Sequence, residues 1–249
     1  DTVGWQLAFT GLITISCLLL LPVLFLREPA ILPEAAAASR EPYTAAWRSF
    51  FQRPEIKGWI WVLVTFKAAE SLGSAMVKPM MVDMGISLSQ MGLQVSLVGS
   101  VTTITGALLG GWLTERWGRR RAIVGFGFLQ ACTFACYALP GSGLGLFGLT
   151  PITTVVVINA VEHFMGGMAM AALLSAVMDR ARQAHAGVDF TLQVSLLALF
   201  GGMFYLPAGF LVEQIGYSQH FLISGVAGLI LLWPAWRFTR EPEQLQAGA

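Results

Sequence analysis

Charge is what this sequence has least of. Of its 249 residues 15 are Lys or Arg and 14 are Asp or Glu, so charged residues make up only 12%. A soluble domain carries about 25%, and a soluble enzyme or a disordered tail is excluded on that ground. The formal net charge of +1 leaves no clustered basic face, which excludes a nucleic-acid partner. Cysteine is scarce too. Cys17, Cys132 and Cys136 all lie inside apolar stretches, and three histidines supply no ligand spacing. No disulfide framework, metal centre or other cofactor is implied. His-Glu-x-x-His and Gly-x-Ser-x-Gly are both missing, against an intramembrane enzyme. A Gly-x4-Gly-Lys-Ser/Thr loop is missing as well, against ATP drive.

Long apolar runs fill the space that charge leaves. Hydrophobic residues reach 55%, with 27 Gly and 10 Met, a composition suited to packed membrane helices. A bilayer crossing needs about 20 apolar residues. Seven stretches qualify, near Trp5–Leu26, Gly58–Val82, Met91–Leu113, Ala122–Leu139, Pro151–Met178, Phe190–Val212 and Phe221–Trp236. The first lacks the basic start of a signal peptide. Trp5, Trp59, Trp61, Trp112, Trp117, Trp233 and Trp236 sit near stretch ends, as interface anchors do.

The loops give an orientation. Arg27, Arg40, Arg48, Arg53 and Lys57 fall in the first, Arg116, Arg119, Arg120 and Arg121 in the third, Arg180 and Arg182 in the fifth, and Arg237 and Arg240 in the tail. Thirteen of the 15 basic residues therefore occupy alternate loops. The positive-inside rule places those loops and the C-terminus in the cytoplasm and the N-terminus outside. Within the first loop, Pro29, Pro33 and an Ala run read as a linker. Residues Tyr43–Arg53 carry Tyr43, Trp47, Phe50 and Phe51 among Arg48 and Arg53, which predicts a helix on the membrane surface.

A repeat organises the chain. Gly111-Trp-Leu113-Thr-Glu115-Arg116-Trp-Gly118 returns as Gly209-Phe-Leu211-Val-Glu213-Gln214-Ile-Gly216, and Asp1-Thr2-Val3-Gly4-Trp5 echoes its end. Each copy falls between the second and third helices of a three-helix unit. An odd helix count inverts the second unit relative to the first, the plan of many secondary transporters. The predicted fold is all-α and integral to the membrane, a six-helix half made of two inverted three-helix repeats behind one extra helix. Residues 1–27 read as the last helix of a preceding half that is missing, and 28–57 as a cytoplasmic loop with its interfacial helix. Residues 58–140 form the first repeat, and 141–249 the second repeat and tail.

The stretch Gly111-x-Leu113-Thr-Glu115-Arg116-x-Gly118-Arg119-Arg120 resembles the signature loop of the major facilitator superfamily. That resemblance implies a twelve-helix protein in two halves, a central cavity and alternating access. Glu115 stands where the family usually has Asp, and the resemblance gives it an ion-pair role in gating with Arg116 and Arg119. Residues Val161–Ala172 (Glu162-His163-Phe-Met-Gly166-Gly167 at their centre), the loop Arg40–Arg53 and Val77-Lys78-Pro79-Met-Met-Val-Asp83 resemble the AmpG-type branch. That branch includes muropeptide permeases and RhtX/FptX-type siderophore permeases. Met178-Asp179-Arg180 to Asp189-Phe190-Thr191-Leu192-Gln193 looks closer to the siderophore group.

Few ionisable residues interrupt the apolar stretches. Gly58–Val82 holds Lys67, Glu70 and Lys78, and Pro151–Met178 holds Glu162 and His163. At about 1.5 Å per residue, Lys67 and Glu70 lie roughly 14–18 Å from the membrane boundary, near its midplane. A charge there costs about 3 kcal/mol, so pairing or a wet cavity must offset it. Lys67, Glu70, Ser71, Ser74 and Lys78 share one helical stripe, and Asn159, Glu162, His163 and Gly166 another. These stripes are the candidate substrate and proton pathway. Lys67 and Glu70 could instead simply neutralise each other, and Lys78 could snorkel. Ser96, Gly99, Ser100, Gly106 and Gly110, with Gly201 and Gly202, are spaced as helix-packing positions.

The leading functional reading is a secondary transporter of the bacterial cytoplasmic membrane, coupled to protons through Glu162 and His163. A bulky polar solute is the expected substrate, a ferric siderophore first and a muropeptide second. Its partners would be the lipid bilayer, the small-molecule solute and the missing N-terminal half. A half that folds without transporting is the remaining alternative.

Overall fold

Helix starts in this chain are written into its sequence. Pro54 and Pro151 occupy first-turn positions, where a missing N–H costs nothing. Thr150 caps the second of these helices by accepting from the Thr153 amide. Ser87 and Gln90 form a capping box, each side chain satisfying the other's backbone.

The structure, a computed structural model, describes residues 4–26 and 42–240. The Pro29–Pro33 linker, Asp1–Val3 of the echo and the tail beyond Arg240 lie outside the described residues. Two units divide between residues 40 and 41. The first contains α1 (Trp5–Leu20), continued by a 3-10 turn over Leu21–Phe25, together long and apolar enough to cross a membrane. Thr10 and Thr14 turn their hydroxyls back to carbonyls four residues earlier, leaving α1 no unsatisfied side-chain donor there.

The second unit holds α2 (Tyr43–Gln52), α3 (Pro54–Ser74), α4 (Val77–Asp83), α5 (Val98–Trp117), α6 (Arg119–Cys136), α7 (Pro151–Asp179), α8 (Ala186–Leu231) and α9 (Trp233–Phe238). A break at Ala75–Met76 separates α3 from α4, and a π-helical turn over Met91–Leu97 leads into α5. A straight α8 would measure about 69 Å, far beyond a bilayer. Gly216 breaks it, with φ 78° and ψ 168°. The two parts, 186–215 and 217–231, cover most of the sixth and seventh apolar stretches; among the described residues six helices are long and apolar enough to cross a membrane, with this bent segment counted once.

The pairing of these helices alternates between the repeats. α7 runs along α5 and touches α6, while α8 runs along α3 and touches α6. A Cβ on Gly106 would run into the Phe164 carbonyl, and one on Gly167 into Thr103, so α5 and α7 meet backbone to backbone. Gly99 and Gly110 also face α7, as their spacing predicts. Ser96, Ser100 and Gly202 do not serve this purpose. Both serines are exposed, and nothing lies within 4 Å of a Cβ on Gly202.

Two of the predicted surface features are corrected. Trp59 is fully buried, not an interface anchor. Its indole N–H donates to Gln193 Oε1 at 2.6 Å, and the Arg180 guanidinium stacks over its ring at 3.7 Å. α2 forms where expected, but it does not merely lie on a surface. Ala46 and Phe50 are buried, and Phe50 belongs to the same apolar cluster as Trp59.

Candidate functional site

Two apolar clusters fill the second unit, and they are stacked along its helices. One contains Phe66 of α3, Phe126 of α6 and Met168 of α7; the other contains Val77 of α4, Phe134 of α6 and Ile158 of α7. On each chain segment the polar residues occupy the gap between clusters. Lys67 and Glu70 follow Phe66, Gln130 lies between Phe126 and Phe134, and Asn159, Glu162 and His163 lie between Ile158 and Met168. A polar layer at mid-helix is the place where transporters build their sites.

Glu162 is the best-connected member of this layer. It is 7% exposed and both its oxygens are engaged. Gln130 Nε2 donates to Oε1 at 3.2 Å, and His163 Nδ1 lies 2.9 Å from Oε2. His163 Nδ1 also lies 3.0 Å from the Asn159 carbonyl, which fixes the ring along the helix. Asn159, 1% exposed, donates to the Val95 carbonyl. The ring of His163 lies against Gly99, and Gly166 leaves room for the Gln130 amide. Gly166 therefore admits a side chain of the protein itself.

Lys67 and Glu70 pair at 2.9 Å on α3, with both side chains about one-fifth exposed. Lys67 packs its methylenes against Gly201 of α8. Ser71 is buried beneath the same glycine, and Ser74 meets the Tyr205 hydroxyl at 3.1 Å. Lys78 lies beyond the break at Ala75–Met76, so it does not continue the stripe. The two stripes do not contact one another through their charged groups among the described interactions. Gln130 stands between them, lining a cavity with Glu70 while bonding Glu162. A search restricted to ionisable residues misses Gln130, because an amide in an apolar stretch carries no charge to mark it.

The signature loop is a tight joint between α5 and α6. Gly118 takes φ 83° and ψ 158°, a conformation that disfavours side-chain-bearing residues. Immediately after it, Arg119 Nε pairs with Asp179 at the end of α7 at 2.8 Å. Its contact with Glu115 is longer, 3.3 Å, and Glu115 is largely exposed. Arg116 lies over the Trp112 ring at 4.0 Å, and Arg120 faces Trp236 at 6.0 Å. Gly111 has open space around it. Asp179, which the gating assignment did not include, is thus the principal partner of Arg119.

A second ionic assembly ties α2 to the turn before α8. Asp189 is fully buried and takes two hydrogen bonds from the Arg182 guanidinium, at 2.7 and 2.8 Å. Arg182 also donates to Ser49 Oγ and the Ala46 carbonyl of α2. Arg53 donates to the Arg180 carbonyl. Burial pushes the Arg180 guanidinium down to about 10, so it remains charged at neutral pH. No group of three or more His, Cys, Asp or Glu among the described residues could hold a metal ion.

The all-helical fold agrees with what the chain is similar to. The family model described as Major Facilitator Superfamily matches residues 1–204 and 68–248. Anhydromuropeptide permease of Escherichia coli (strain K12) is 28% identical over 240 residues, covering 92% of this chain and 46% of that protein. An uncharacterized protein of Haemophilus influenzae is 26% identical, covering 93% of this chain and 57% of its own length. Putative transporter AmpG 4 of Rickettsia conorii is 21% identical over 76% of this chain. The chain spans about half the length of the curated relatives it matches. It is a multi-pass membrane protein of the AmpG-like type, and it belongs to the Major Facilitator Superfamily.

Proposed function

We propose that this chain supplies one six-helix half, with repeats at 58–140 and 141–249, of a proton-coupled permease for muropeptides. A relative named as a muropeptide permease, aligned over 92% of this chain, favours that solute over a ferric siderophore. Siderophore import, the first expectation from the sequence, finds no support among these relatives. The other half would come from the segment preceding residue 1–27, and the bilayer is the surrounding partner. The basic loops, including Arg119–Arg121, face the cytoplasm in this reading.

One observation carries the coupling: Glu162 is buried in the polar layer, bonded to Gln130 and His163 but to no Lys or Arg among the described residues. A buried carboxylate without a Lys or Arg partner, inside an apolar helix, marks a place where a transported proton can be held. His163, in contact with it, offers the proton a second site. The outward-facing state loads proton and solute together, and the inward-facing state releases both. In the natural full-length protein, Glu162→Gln should abolish accumulation driven by a proton gradient. It should spare membrane insertion and solute exchange without a gradient. Wild-type accumulation with unchanged pH dependence would overturn the assignment.

A further inference from the structure

Glu70 and Gln130 share a cavity that no side chain fills. It lies between α3, α6 and the second part of α8, has a volume of about 20 Å³, and is otherwise walled by apolar groups such as Phe66, Phe134 and Leu232. That volume holds one water molecule, which needs about 10–15 Å³. The polar atoms around it are also incomplete. Glu70 Oε1 pairs with Lys67, but Oε2 is buried and has no hydrogen-bond partner. An ionised Glu162 accepts only, so Gln130 turns its NH2 group toward it and leaves its carbonyl oxygen for another donor.

We infer that this cavity binds one water molecule, donating to Glu70 Oε2 and to Gln130 Oε1, and that Gln130 is the positioning residue that joins Glu70 to Glu162. The two carboxylates come from the first helices of the two repeats; the water lies between Glu70 and Gln130 of the first repeat, and the Gln130–Glu162 bond carries the link across to the second. The charged and titratable groups facing this link are Lys67 and Glu70 of α3, Lys78 of α4, the buried Tyr137 just after α6, and Glu162 and His163 of α7. From α6 and α8 come Gln130 and the buried His220, whose Nε2 is bonded to the Leu72 carbonyl. The inference rests on the proposed role of Glu162, yet its test separates the two.

The test is infrared difference spectroscopy of the natural full-length protein in liposomes, in ordinary water and in H2(18)O. A water O–H band that shifts with the isotope is expected, and it should vanish in Gln130→Leu. Ala69→Val, which fills the cavity without changing a polar group, should remove the same band and serves if Gln130→Leu fails to fold. Glu70→Gln should move the Glu162 carboxylate stretching band in the wild-type background and leave it unmoved in either cavity variant. Proton-driven accumulation should fall about tenfold or more in Gln130→Leu, the scale of a lost buried hydrogen bond. Persistence of the water band in Ala69→Val, or a Glu162 band indifferent to Glu70→Gln, overturns the bridge even if Glu162→Gln still abolishes accumulation. Normal accumulation by Glu162→Gln removes the coupling role and leaves the water band to decide the bridge alone.

Discussion

Gly118 and Gly216, 98 residues apart, hold the same backbone conformation, φ 83° and ψ 158° at one and φ 78° and ψ 168° at the other. Each ends the second membrane helix of its repeat and lets the third begin in the reverse direction. The residue after each glycine reaches an aspartate of the other repeat. Arg119 bonds Asp179 at the end of α7, and the Tyr217 hydroxyl donates to Asp83 at the end of α4 at 2.6 Å. One bond closes each end of the six-helix unit. The repeat is thus visible as chemistry as well as in the Gly-x-Leu-x-Glu pattern.

A side chain at Gly216 is opposed by the backbone alone, since a Cβ there meets only the flexible end of Gln219, at 3.5 Å. Gly216→Ala should therefore lower stability by about 1–3 kcal/mol, the cost of a side-chain-bearing residue in a backbone region that is essentially glycine's alone. Gly209 lies in the same helix with open space around it. Gly209→Ala should be neutral or stabilising by up to about 1 kcal/mol. Thermal unfolding in detergent compares the two. Equal loss in both variants would show that crowding, not backbone conformation, selects the glycine.

Loss of each inter-repeat bond should loosen one end of the unit. Tyr217→Phe removes the bond to Asp83 while keeping the ring, and Asp179→Asn removes the charge that holds Arg119. With single cysteines placed beside each bond, an impermeant thiol reagent reads both sidedness and openness. The 114–121 loop should label from the cytoplasmic side, faster in Asp179→Asn. The 141–148 loop should label from outside, faster in Tyr217→Phe. Labelling of both loops from one side would refute the orientation, and a common response to both variants would refute the separate ends.

Much of this architecture was legible in the sequence because apolar length and loop charge are set by the bilayer, a simple solvent. The apolar helices, the α2 helix and the glycine joints all follow from such one-dimensional signals. The roles of Gln130, Asp179 and Trp59 did not, for a common reason. Each depends on a partner more than 30 residues away: Glu162, Arg119 and Gln193. The break after Ser74 was hidden as well. Pro79 is a visible helix disruptor in this region, but the turn falls at Ala75–Met76 and removes Lys78 from the stripe.

Contact between α5 and α7 depends on glycine at both surfaces. A Cβ at Gly106 or Gly167 would strike main-chain atoms, which cannot swing aside. Gly106→Ala and Gly167→Ala should each cost about 1–3 kcal/mol, as overpacking does. Gly111→Ala, with open space around it, is the comparison. Unfolding temperatures that match across all three variants would mean the helices sit farther apart than described.

Lys67 decides whether the polar layer touches solute or only balances itself. Its partner Glu70 sits in the polar layer between the apolar clusters, so Lys67→Met leaves a carboxylate without its cation. That should destabilise the protein by about 1–3 kcal/mol, less than a fully buried pair because both side chains are about one-fifth exposed. Lys67→Met/Glu70→Gln removes both charges and should recover most of that loss. Solute binding provides the sharper outcome. If the solute is the anionic muropeptide proposed above, the Lys67 ammonium is a cation of the polar layer placed to meet one of its carboxylates. If Lys67 makes that contact, binding stays weak in the stable double variant. Measured affinity for an anionic muropeptide should then fall about tenfold or more in both variants, the scale of a lost charged hydrogen bond. Wild-type affinity in the double variant would reduce Lys67 to a counter-ion for Glu70 and move the solute site elsewhere in the cavity.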